Sequence, residues 1–122
     1  MRIFRKIIHF LFLLICCGGI AFAKRGAPKP VAPVSVGELE YRACYDVDHL
    51  GSVEVWDLKT HSQIGSILVY KTKYLSRMER DVQWVFITKL EVHGNDMLVV
   101  NERGDSYRVD LRTKRVTRVN SE

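Results

Sequence analysis

Gly51-Ser52-Val53-Glu54-Val55-Trp56-Asp57-Leu58-Lys59-Thr60 aligns without gaps on Gly104-Asp105-Ser106-Tyr107-Arg108-Val109-Asp110-Leu111-Arg112-Thr113, an offset of 53 residues. Gly, Asp, Leu and Thr are kept, and Lys59 is exchanged for Arg112. Each copy makes the same physical statement. Gly permits a tight entry turn, a strand follows, and the Asp and Thr side chains bond backbone N–H groups in the exit turn. Two copies of a strand-and-turn unit predict an all-β fold built from two related halves.

The sequence around both copies carries the same signal. Tyr41, Ala43, Tyr45 and Val47 alternate with Arg42, Cys44, Asp46 and Asp48, and Tyr107, Val109 and Leu111 alternate with Arg108, Asp110 and Arg112. Alternation of period two places the apolar set on one face of a half-buried strand. Ser52 to Leu58, Ile64 to Tyr70, Val82 to Val92 and Met97 to Glu102 are rich in branched and aromatic residues on both faces, as expected of central strands. Only Tyr74 to Asp81 reads otherwise. Ser76 and Glu79 stand in capping-box spacing there, which predicts a turn or two of helix.

Val55 to Thr60, and Asn101 to Asp105 followed by Tyr107 to Thr113, resemble the blade repeats of WD-type and quinoprotein-type β-propellers. The resemblance covers two partial copies only. Two departures matter. The glycine that usually follows the Asp-x-x-Thr turn is replaced by His61 and Lys114, which the resemblance places in a left-handed conformation. Two units are also too few to close a ring, whose smallest common form has about four blades. The expectation is therefore a small antiparallel meander forming an open sandwich or a partly closed barrel.

Ahead of this unit the composition changes twice. Arg2, Arg5 and Lys6 precede the apolar run Ile7 to Ala23, and Ala21-Phe22-Ala23 supplies small residues for cleavage, so 1–23 reads as a secretory signal peptide. Retained, it would anchor the chain to a membrane; Cys16 and Cys17 lack the small preceding residue that lipidation favours. Residues 24–36 hold Pro28, Pro30 and Pro33 and read as an extended linker, with the β-rich domain at 37–120.

Cleavage removes three cations and no acid. That leaves 16 Lys and Arg against 14 Asp and Glu, a net charge of +2, and nucleic-acid binding loses its electrostatic support. Cys44 becomes the one cysteine, without an intramolecular partner.

Asp46, Asp48 and His49 open a stretch with acids at positions one, three, nine and twelve of a calcium loop and Gly51 at position six. Leu50 at position five and the flanking strands favour a capped turn instead. His49, His61 and His93 lack a second ligand at metal spacing, and Cys44 on a strand lacks a positioned base. No catalytic motif and no cofactor fingerprint is present. Arg103-Gly104-Asp105-Ser106 spells an adhesion tetrapeptide at an expected hairpin tip.

The expected function is an exported, periplasmic or extracellular, non-enzymatic protein-interaction domain. Its sheet edges would engage another protein or a second copy, with Trp56, Trp84, Arg103 and Asp105 as interaction candidates. The alternatives are a small metal-dependent hydrolase using Asp46, Asp48 and His49, and a ligand-binding barrel with an apolar cavity near Trp84 and Phe86.

Overall fold

The computed structural model describes residues 28–119; the expected leader at 1–23 and the first residues of the linker lie outside the described residues. Eight strands follow in order: β1 Val34–Val36, β2 Leu39–Ala43, β3 Ser52–Asp57, β4 Ser62–Leu68, β5 Ile87–His93, β6 Asp96–Asn101, β7 Ser106–Asp110 and β8 Val116–Val119. They form two four-stranded antiparallel meanders, β1-β2-β3-β4 and β5-β6-β7-β8. The sheets stay open and do not close into a barrel, so the sandwich form of the expectation holds.

The quoted segments supply β3 and β7, the third strand of each sheet. Their exit turns share the bonds made by Asp, though Thr113 Oγ1 accepts the Arg115 N–H while Thr60 Oγ1 pairs with Ser62 Oγ. Asp57 Oδ1 accepts the N–H groups of Lys59 (2.8 Å) and Thr60 (3.4 Å), and Asp110 Oδ1 those of Arg112 (2.9 Å) and Thr113 (3.2 Å). The hairpins β1-β2 and β5-β6 turn through Gly37 (φ 60°) and Gly94 (φ 63°), each followed by a residue of negative φ, the pattern of a type II′ turn.

One core lies between the sheets. Tyr41, Ala43, Val53, Val55 and Ile67 from the first sheet meet Leu90, Met97, Val99 and Val109 from the second, with Tyr107, Leu111 and Val116 packed around them. Val53, Met97, Val99 and Val109 are fully enclosed. The sheets converge where β1 runs beside β5, which leaves β4 and β8 as the outer edges.

Several expectations shift. The sheet begins at Val34, inside the stretch read as linker, and Val31 and Val34 pack on the core. β2 ends at Ala43, so Tyr45 and Val47 lie in a loop, 42% and 40% exposed, and do not extend the inward face. The cause is local: Asp46 Oδ1 accepts the Asp48 N–H, His49 N–H bonds the Asp46 carbonyl, and the chain turns out of the ladder. β4 and β5, expected to be central, are edge strands; β8 was missed.

The stretch from Tyr74 to Asp81 forms turns, and a short 3₁₀ helix at Asp81–Gln83 replaces the expected helix. Gln83 organises it from beneath. This buried side chain accepts the Leu75 N–H (2.6 Å) and donates toward the carbonyls of Leu75, Met78 and Glu79 (each 3.1 Å).

Candidate functional site

Among the four sheet edges, β4 is chemically distinct. β8 carries Arg118, with Lys114 and Arg115 just ahead of it; β5 carries Lys89 and Glu91; β1 is three residues long and runs beside β5. Charge and shortness are the ordinary protections of an edge against pairing. β4 reads Ser62-Gln63-Ile64-Gly65-Ser66-Ile67-Leu68 with no charged residue, and Ile64 and Leu68 are 57% and 50% exposed.

The phase of its ladder follows from one bond. Val69 N–H bonds the Gly51 carbonyl at 2.8 Å, so by antiparallel alternation Ile67 bonds toward Val53, while Ser66 and Leu68 direct their N–H and C=O groups away from the sheet. A bulge at Ile64, between the pairs Trp56↔Gln63 and Val55↔Gly65, interrupts the strand near its start.

A second surface lies at the end of the sandwich. Tyr45 and Val47 from the β2-β3 loop, Trp84 and Phe86 from the segment before β5, and Pro28 and Pro30 line an open cleft of about 400 Å³ without a charged side chain. Trp84 meets Phe86 edge-on, with ring centroids 6.1 Å apart and planes at 76°. The apolar cavity expected beside these two aromatics is thus present as an open cleft, outside the core and not within a barrel.

The four interaction candidates fall in separate places. Trp84 belongs to the cleft. Trp56 lies half-buried on the outer face of the first sheet, with the Arg42 guanidinium 4.3 Å above its ring and its Nε1–H donating to Glu54 (3.0 Å), while Glu40 pairs with Arg42. Arg103 and Asp105 occupy the β6-β7 hairpin tip. Asn101 Oδ1 accepts the N–H groups of Arg103 (3.0 Å) and Asp105 (3.1 Å), Gly104 has φ 79°, and Asp105 is engaged by Arg118 at 2.8 Å. The tip therefore displays Arg103 freely, whereas the Asp105 carboxylate is held against β8.

The residues read as a hydrolase alternative form a turn. His49 Nδ1 lies 2.9 Å from Asp46 Oδ2, and this bond, then the Asp48 N–H, holds the Asp46 carboxyl below its ordinary value. Among the described residues no group of three or more His, Cys, Asp and Glu side chains is placed to hold a metal ion. Cys44 is buried, and burial pushes its thiol pKa up, away from the reactive thiolate. A pocket of about 320 Å³ beside this turn mixes Val47, Leu50 and Leu68 with His49, Lys71 and Arg80; Thr72 Oγ1 is buried there without a hydrogen-bond partner.

Reading the sequence placed Ile64 to Tyr70 in a central strand and Tyr45 and Val47 on a strand face, and so did not single them out as site residues. The signal for β4 was available: Thr60 to Tyr70 contains no Asp, Glu, Lys or Arg. Comparison with family models matches none, and comparison with curated proteins finds no match.

Proposed function

We propose that the protein is an exported, non-enzymatic interaction domain that accepts a β-strand from another protein, or from a second copy, along β4. The observation that supports this most directly is the β4 edge: an uncharged seven-residue strand with outward backbone groups at Ser66 and Leu68 and two exposed aliphatic side chains. Strand addition satisfies such an edge, with main-chain hydrogen bonds supplying affinity and alternate side chains supplying specificity. The other lateral edge carries arginine, so pairing is directed to one side of the molecule. We also infer that the two sheets descend from one duplicated blade-like unit, because β3 and β7 share their place and their exit turns.

The test is a photo-cross-linking residue placed at Ser66 on β4 or at Thr117 on β8, in the protein's native envelope. The expected result is an adduct from Ser66 alone, mapping to an extended segment of the partner and lost on Ile64→Lys. Equal labelling from Thr117, or none from Ser66, refutes the reading. Sedimentation velocity across protein concentrations then separates a second copy from a different protein.

A further inference from the structure

The cleft at the end of the sandwich specifies a ligand class by a route independent of β4. One of its walls is already made of proline: Pro28 and Pro30 face Tyr45, Val47, Trp84 and Phe86, and the Val31 N–H donates to the Tyr45 hydroxyl at 2.6 Å. The chain thus holds its own proline-bearing segment on this aromatic surface, and about 400 Å³ remains open beside it. We propose that the cleft binds an extended, proline-bearing segment of a partner protein, laid alongside Pro28 to Val31.

Three features match that ligand. Pyrrolidine rings present flat apolar faces that pack on aromatic rings, and the lining supplies Tyr45, Trp84 and Phe86 with no charge to desolvate. A polyproline backbone makes no internal hydrogen bonds and leaves its carbonyls as acceptors; Tyr45 accepts the Val31 N–H through its oxygen and keeps its own proton to donate. The walls are also set in advance, with Trp84 against Phe86 and Phe86 itself buried, so little ordering opposes binding. A charged peptide would need ionic partners that this lining lacks.

The test is titration of the isotope-labelled purified protein with synthetic octaproline, followed by amide and indole NMR. The expected result is saturable shifts confined to Tyr45, Val47, Trp84, Phe86 and their neighbours, with binding weakened about tenfold by Val47→Asp and by Tyr45→Ala. Both positions are exposed, so an unchanged circular dichroism spectrum and melting temperature will verify the fold. Absence of shifts at ~1 mM peptide, shifts located elsewhere, an equal response to a Gly-Ser peptide, or undiminished binding by Val47→Asp overturns the proposal. Ser66→Lys leaves octaproline binding unchanged, so the failure of one proposal is distinguishable from the failure of the other.

Discussion

His61 and Lys114 adopt the same left-handed backbone, φ 53° and 61°, at equivalent points after the Asp-x-x-Thr turns that leave β3 and β7. Both are exposed, and although His tolerates that region better than Lys, each carries the Cβ penalty that glycine avoids. Replacing either by glycine removes the Cβ clash but adds freedom to the unfolded chain, so His61→Gly and Lys114→Gly should each stabilise by about 0.5–1 kcal/mol. A rise of a few degrees in Tm for each, additive in the double variant, is the expected readout.

The two aligned glycines separate sharply. A Cβ on Gly51 (φ 85°) would lie 2.1 Å from the Tyr70 carbonyl oxygen, whereas one on Gly104 (φ 79°) would meet nothing within 4 Å. Gly51→Ala is therefore expected to cost about 3 kcal/mol or more, from steric overlap and strain together, and Gly104→Ala about 1 kcal/mol from strain alone. Chemical denaturation of the two variants side by side will show whether these aligned positions differ as the packing requires.

Gln83→Ala strips the segment from Tyr74 to Glu79 of its internal support. The Leu75 N–H and the Met78 and Glu79 carbonyls lose this partner, while the Leu75 carbonyl keeps the Met78 N–H; on these exposed turns water replaces part of the loss, for a destabilisation of about 1 kcal/mol. Hydrogen exchange should quicken at Leu75 while the amides of β6 and β7 remain protected, because these turns lie outside the core.

Acid should weaken the fold through two surface carboxylates, Asp110 at its turn and Glu91 on β5. The N–H groups of Arg112 and then Thr113 hold the Asp110 carboxyl below its ordinary value of 3.8; Lys89, then His93, does the same for Glu91. A group whose folded pKa is lowered contributes stability that is fully present above its unfolded value and is lost as pH falls through the folded one. Tm is thus expected to be flat above about pH 5 and to drop below about pH 4, and Asp110→Asn should flatten part of that drop.

Cys44 should resist thiol reagents. Buried at the start of the β2-β3 loop and with its pKa raised by that burial, it is expected to label at least about a hundredfold more slowly in the native protein than in denaturant at the same pH.

The strands flanking the core were legible because their pattern is local. Val53 and Val55 flank Glu54, Tyr107 and Val109 flank Arg108, and both pairs point inward. The Asp57 and Asp110 turns were legible for the same reason, since their bonds span two and three residues. What escaped depends on distant partners. Val34 is a strand residue only because Tyr41 pairs with it, and Val116 only because Val109 does. Val82 to Phe86 carries strong β-formers, yet Gln83 turns inward to bind the loop before it and withdraws that stretch from the ladder. The cleft escaped for a related reason: Pro28, Tyr45 and Trp84 are far apart in sequence, and only the β2-β3 loop and the crossing segment bring them together.

Tyr70 stands where the chain leaves the first sheet and is fastened to both. Its N–H reaches Gly51, its ring stacks on Tyr107 at 5.3 Å, and its hydroxyl donates to the Val85 carbonyl at 2.7 Å. Neither half therefore holds a complete interior of its own. A single nick between Lys71 and Arg80 would yield two pieces that stay bound and melt as one body, whereas either piece made alone would expose the apolar lining it normally shares.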